Sequence, residues 1–255
     1  MLFGGHVKSL DHIDILKTLN FDFGELVLRD AKASRFWLDS GVKNRFDSRF
    51  FLIAHGPFEG PPNDMDNIRT RYRDALTESI DTASQMEIDL LTIHLWMDHR
   101  FVKPEILERK VELLRYVVEY GHRKNVRISL ENLSESAADL RPVFESVTGL
   151  GLTLDVAHAQ LLTETNTSFE IIADLGRYIC HVHLHDNRGG NGPSDDLHLP
   201  VGEGIIDFPA ILGALVKLPY DGTITLELEP EDLERSRNVV EQIIANLNVR
   251  KRSGQ

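Results

Sequence analysis

Six apolar runs in this sequence end on an imidazole or a carboxylate: His55, His94, Glu131, Asp155, His183 and Glu227. These side chains supply N and O donors of the kind that hold a metal ion. Two short clusters add more. Asp155-Val156-Ala157-His158 is Asp-x-x-His, and Asp196-Leu197-His198 is Asp-x-His, a spacing that presents both groups on one side of an extended loop. Each cluster alone reads as a turn aspartate beside a chance histidine. Together the candidates His55, His94, Glu131, Asp155, His158, His183, Asp196, His198 and Glu227 outnumber the roughly four or five donors that one ion takes. Nine candidates therefore mean either several metal ions or some of these residues holding substrate. Gathering so many unpaired charges without cations would cost several kcal/mol for each.

The run Ile179-Cys180-His181-Val182-His183-Leu184-His185 alternates, so a strand here puts three histidines on one face and the apolar residues on the other. His183 is expected as the ligand, His181 as a deeper hydrogen-bonded residue and His185 at the rim. By the same parity Thr225, Glu227 and Glu229 share a face, with Glu229 left open between site and rim.

The elements that must position these groups recur as a short apolar run, a polar loop and an amphipathic segment, the sequence form of a βα unit. Predicted strands are Leu2 to His6, Glu25 to Leu28, Phe51 to His55, Leu90 to His94, Val126 to Glu131, Gly151 to Asp155, Ile179 to His185 and Thr223 to Glu227. Ile68, Tyr72, Ala75, Leu76, Ile80 and Ala83 keep helical spacing and predict one helix. Pro104 suits the first position of another, whose stripe runs from Ile106 to Val118 and for which Gly121 can supply a left-handed stop. Eight alternations in 255 residues predict an α/β chain folded as a single (β/α)8 TIM barrel, one domain over 1–255 with a short flexible basic C-terminal tail. In that architecture the C-terminal strand ends converge on one face, which brings the six strand-end groups together. No Gly-x-Gly-x-x-Gly follows the first strand, so nothing reads as a dinucleotide site.

Composition narrows the function classes. The formal net charge of −12 repels polyanions, and the loop bases Arg29, Lys32, Arg35, Arg100, Lys103 and Arg188 are sparse. No apolar stretch approaches the roughly 20 residues of a membrane span, and no export signal is visible. With Cys180 alone there is no internal disulfide and no thiolate metal cage. A cytoplasmic protein without a membrane partner is expected.

The strings Ile53-Ala54-His55-Gly56-Pro57, Ile93-His94, Leu130-Glu131-Asn132-Leu133, Leu154-Asp155-Val156-Ala157-His158, His181-Val182-His183-Leu184-His185-Asp186-Asn187, His198-Leu199-Pro200-Val201-Gly202-Glu203-Gly204 and Thr225-Leu226-Glu227 resemble the xylose isomerase-like TIM-barrel superfamily. The resemblance runs over nearly the whole chain. That superfamily holds sugar and sugar-phosphate isomerases and epimerases, and also the endonuclease IV type of apurinic endonuclease (AP endonuclease family 2).

Resemblance to the isomerases implies that Glu131, Asp155, His183 and Glu227 hold one Mn²⁺, Mg²⁺ or Co²⁺. Glu131 and Glu227 would then be the catalytic base and acid, and His158 and Arg188 would contact a small-molecule sugar or sugar phosphate. Resemblance to the endonuclease implies instead three Zn²⁺. His55, His94 and Glu131 would hold the first, Glu131, Asp155, His183 and Glu227 the second, and His158, Asp196 and His198 the third, acting on abasic DNA. Gly4-Gly5-His6-Val7 also resembles the start of those enzymes, whereas Asp186-Asn187-Arg188 and Leu197 depart from their usual Ser/Lys loop and Arg. Nucleic acid is a partner only in this alternative. A third reading is a sugar- or metal-binding barrel without turnover. Association into a homo-oligomer is left open by the sequence.

Overall fold

The computed structural model describes residues 1–45, 49–218 and 220–253. Eight parallel strands close into a barrel in sequence order: β1 (Leu2–Val7), β2 (Phe23–Val27), β3 (Phe51–His55), β4 (Leu90–His94), β5 (Arg127–Glu131), β6 (Gly151–Asp155), β7 (Ile179–Leu184) and β8 (Thr223–Leu226). The helices are α1 (Leu10–Thr18), α2 (Ala31–Asp39), α3 (Met65–Arg69), α4 (Arg71–Gln85), α5 (Pro104–Arg123), α6 (Ala137–Ser146), α7 (Ser168–Leu175), α8 (Phe208–Lys217) and α9 (Pro230–Ser253). The (β/α)8 architecture expected from the alternation is present. The basic C-terminal stretch continues α9 as far as Ser253, and residues 254–255 lie outside the described ones.

The period of two sorts each strand. Leu26, Ala54, Leu91, Leu130, Leu152, Leu154, Val182, Leu184 and Leu226 belong to the main buried core that the helices cover. The inward residues form a separate column. Phe23, Ile53 and Leu90 pack together as a small apolar plug, and Gly4 is needed beside it because a Cβ there would sit 2.3 Å from the Phe23 ring. Above the plug comes a hydrogen-bonded polar layer: Thr153 Oγ1 donates to Ser129 at 2.7 Å and meets Thr92 Oγ1 at 3.0 Å. The strand register sets the next level, pairing His94 with Glu131 and Asp155 with His183.

Two local expectations are corrected. The stripe from Ile68 to Ala83 is carried by two helices, because Thr70 leaves helical geometry at φ −125° and ψ −88° while capping both. Gly121 does not stop α5, which runs to Arg123. The left-handed residue is Asn125 at φ 59°. Gly121 answers a different need, since a Cβ there would lie 2.5 Å from the Val126 carbonyl oxygen.

Candidate metal centre

All nine sequence-derived candidates meet at the C-terminal mouth of the barrel. Glu131 ends β5 fully buried and uses both oxygens. Its Oε2 lies 3.1 Å from His55 Nε2 and 3.0 Å from His94 Nε2, and its Oε1 lies 3.1 Å from His158 Nδ1 and 3.4 Å from His183 Nδ1. His183 Nδ1 also faces Glu227 Oε1 at 2.9 Å and Asp155 Oδ2 at 3.9 Å. Asp196 Oδ2 stands 3.3 Å from His158 Nε2 and 3.2 Å from His198 Nε2.

The loops fold as they do for reasons visible in their hydrogen bonds. Asp155 Oδ1 accepts the N–H groups of Ala157 and His158, which turns His158 back over the mouth. Asp186, buried after β7, accepts from Asn187, Gly202, Gly204 and Ile206 at 2.8–3.3 Å. That clasp, with the antiparallel bridge from Asp186 to Leu199, folds the long loop so that Asp196 and His198 face the centre. His198 holds a left-handed backbone, φ 46°, a strained choice for a non-glycine residue.

The donor set fits divalent cations. Backbone carbonyls fix the ring orientation of three histidines: Nδ1 of His55 faces Gly56 O, that of His158 faces Asn132 O, and that of His198 faces Glu227 O, at 3.0, 3.1 and 3.0 Å. An Nδ1–H donated to each carbonyl turns Nε2 toward the centre as a ligand atom, the usual outer support of metal-binding imidazoles. Meanwhile Glu131 Oε1, His183 Nδ1, His185 Nδ1 and Asp196 Oδ1 are buried without a hydrogen bond, although charged neighbours stand close. Lone pairs that converge without facing a proton are the arrangement a cation satisfies.

Electrostatics agree. Burial pushes the Glu131 carboxyl up, but His94 and His183 together hold it well below the usual range. Glu227 is likewise held low, against burial, by His6 and His183. His55 and His198 are each raised to about 9, burial opposing and Glu131 or Asp196 prevailing. His94 is lowered, because burial outweighs Glu131 and the neighbouring His55 adds to the effect. The raised values of His55 and His198 reflect the carboxylates that face them.

Several groups fall elsewhere than expected. His185 is fully buried rather than at the rim, with Nε2 3.2 Å from Asp155 Oδ2 and its ring stacked 4.0 Å from His198. The loop clasped by Asp186 covers it. Arg188 is exposed and is not among the residues that edge the cavity above the centre. The cavity, about 600 Å³, is instead edged by Lys8, Arg29 and Lys32, with Phe36, Trp37 and Phe58 as its apolar wall. Glu229 is a rim residue paired with Lys8. Two contributors were not picked out as site residues: His6, whose Nε2 lies 2.9 Å from Glu227 Oε1, and Glu25, buried below His183. A charged residue inside the apolar strand Phe23–Val27 was the available signal for the second.

The profile of the family described as xylose isomerase-like TIM barrel matches residues 13–247. The chain belongs to that family. An uncharacterized protein of Methanocaldococcus jannaschii is 26% identical over 90% of this chain and 82% of its own length. Among solved structures, a D-tagatose 3-epimerase-like protein superposes with a TM-score of 0.81 at 24% identity, covering 98% of this chain and 99% of that one. A xylose isomerase domain protein from Planctomyces limnophilus gives 0.77 at 17%, over 98% and 96%. A protein from Thermus thermophilus, soaked with ZnCl2, gives 0.77 at 26%, over 96% and 99%.

Proposed function

We propose that this member of the xylose isomerase-like family is a divalent-metal-dependent isomerase or epimerase of a small sugar or sugar phosphate. What carries the reading is a pair of buried carboxylates held ionised, Glu131 and Glu227, which approach His183 Nδ1 at 3.4 and 2.9 Å beneath a cavity of about 600 Å³. That volume suits a small ligand. The solved D-tagatose, D-psicose and L-ribulose 3-epimerases and epimerase-like proteins that share the fold support the substrate class.

Glu131, Asp155, His183 and Glu227 would hold the ion, which when bound supplies Lewis acidity to a carbonyl and its neighbouring hydroxyl. Glu131 would take the proton from the adjacent carbon, and Glu227, ionised at rest and protonated through His6 when substrate binds, would deliver one to the opposite face; the cycle closes when Glu131 releases its proton to solvent. His6, 2.9 Å from Glu227 Oε1, is placed to resupply that proton. His158 would meet a substrate oxygen, Phe36, Trp37 and Phe58 would pack against the substrate's carbon face, and Arg29 and Lys32 would meet a phosphate. No helix among the described residues is long and apolar enough to cross a membrane, and the reading retains one cytoplasmic domain.

One observation favours a second reading, a three-ion phosphoesterase. Sugar chemistry leaves His55, His94, Asp196 and His198 without a metal role, yet their donor atoms are grouped around Glu131 Oε2 and Asp196 Oδ2. With a net charge of −12 and few basic groups at the mouth, a small phosphoester suits this reading better than duplex DNA.

The test is a panel of ketoses, aldoses and their phosphates beside an abasic-site oligonucleotide and a small phosphodiester, each with Mn²⁺, Co²⁺ and Zn²⁺ in deuterated water. Epimerisation with deuterium at the inverted carbon supports the first reading. Ester cleavage alone transfers the assignment to the second, and metal-dependent sugar binding without turnover would leave a binding barrel.

A further inference from the structure

Below the centre, Glu25 of β2 is fully buried inside the barrel. Three donors converge on it. Thr225 Oγ1 donates to Oε2 at 2.5 Å, His181 Nε2 lies 3.2 Å from Oε2, and His183 Nε2 lies 3.1 Å from Oε2 and 3.3 Å from Oε1. The far nitrogen of His181 meets the Thr223 hydroxyl at 2.7 Å. None of these groups touches the cavity that would receive substrate.

An ionised carboxylate can only accept hydrogen bonds. With a cation on Nδ1, His183 keeps a single ring proton, and the Glu25 carboxylate facing Nε2 holds it there; without a cation, Nδ1 faces the Glu227 and Glu131 carboxylates instead. Nδ1 is the atom turned toward Glu227, Glu131 and Asp155, and it has no hydrogen bond of its own. The opposite tautomer would aim a lone pair at the Glu25 carboxylate and strip the central cation of its imidazole donor.

We infer that Glu25 is a positioning residue that fixes the ring and tautomer of His183 so that Nδ1 serves the central cation. The inference rests on the metal reading of the site and is indifferent to which reaction follows. Carboxylate support of a ligating imidazole alters metal affinity by roughly 10–100-fold where it is removed. Glu25→Leu, which abolishes the acceptor, is assigned that loss. Glu25→Gln keeps an acceptor oxygen but presents an amide N–H₂ toward His181 or Thr225, so its loss is smaller. Thr225→Val leaves the carboxylate in place and is assigned the smallest loss.

The experiment titrates metal-free full chain with Zn²⁺ and with Mn²⁺ against a competing chelator, and reads the ring ¹⁵N shifts of His183 in each loaded variant. Expected are the Nε2–H tautomer in the parent protein, graded losses in the order Leu, Gln, Val, and a mixed or Nδ1–H signature in Glu25→Leu. Should Glu25→Leu fail to fold, Glu25→Gln and the His183 shift decide the question. Unchanged affinity and an unchanged Nε2–H signature in Glu25→Gln and any folded Glu25→Leu would overturn the inference alone. A parent protein that binds neither ion would overturn the metal reading on which it stands.

Discussion

Glu131 Oε2 faces His94 Nε2 at 3.0 Å while the other oxygen of the same carboxylate is turned toward His158 and His183. One side chain thus joins two donor groups, and both readings of the reaction use it. Glu131→Gln keeps the volume but replaces one oxygen with a group that cannot ligate. Outer support alone is worth roughly 10–100-fold in metal affinity, so loss of this shared ligand should weaken binding by more than about 100-fold and abolish turnover. Metal analysis after gel filtration, with activity in excess Mn²⁺, checks both. Retained activity in the variant would remove Glu131 from its assigned role.

His198 separates the readings from a different side. Its Nε2 approaches only the Asp196 part of the centre, and the side chain is partly exposed, so His198→Ala should fold normally. A three-ion centre then loses one equivalent of Zn²⁺ and retains two. A one-ion centre held by Glu131, Asp155, His183 and Glu227 keeps its single equivalent. Stoichiometry by mass spectrometry of the parent and the variant distinguishes these, and a variant still holding three would refute the ligand assignment of Asp196 and His198.

Much of this architecture was legible in the chain. Phe51–His55, Leu90–His94 and Gly151–Asp155 coincide with the predicted strands, because a β-branched or leucine run ending on a polar residue is a local signal. The alternation in β7 identified His181 as a deep hydrogen-bonded residue, as found. What depended on distant neighbours was not legible. Glu25 owes its position to His181 and His183, 156 and 158 residues away. The depth of His185 is set by a loop that folds only because four N–H groups gather on Asp186. Arg188, to which the family resemblance pointed, has an exposed side chain beside the turn at Gly189 and Gly190, both left-handed.

Glu135 gives the structure a pH dependence away from the metal ligands. Buried after β5, it accepts the N–H of Met97 at 2.5 Å and of Leu133 at 2.6 Å, tying the β4 and β5 loops together. Burial raises its carboxyl from 4.5 to about 7, with Asp98 adding to the rise and the two N–H groups opposing it. A folded value above the unfolded one means the proton binds the folded state more tightly. Its contribution is complete below about pH 4.5 and is lost as pH rises through about 7. At 1.36 kcal/mol per unit the loss amounts to about 3 kcal/mol. Melting curves between pH 5 and 8, with metal saturating so that the ligands do not titrate, should show falling stability. Glu135→Gln, whose neutral amide does not titrate, should lack that slope. A slope equal to the parent's would assign the dependence to another group.

Lys110 and Glu59 make the last prediction. Lys110 of α5 is fully buried, its Nζ 2.5 Å from Glu59 Oε1 and 2.7 Å from the Trp96 carbonyl, while Glu59 Oε2 accepts the Trp96 N–H at 2.8 Å. The pair joins a covering helix to the loops that follow β3 and β4, the strands ending in His55 and His94. Burial depresses the Lys110 ammonium and raises the Glu59 carboxyl, each resisted by the other. Lys110→Met therefore leaves a carboxylate buried without its cation and should cost about 3–5 kcal/mol in urea unfolding. Adding Glu59→Gln removes the stranded charge and should recover part of that loss while the Trp96 N–H keeps an acceptor. If the double variant were no more stable than Lys110→Met, the cost would lie in the lost packing of the lysine stem rather than in the ion pair.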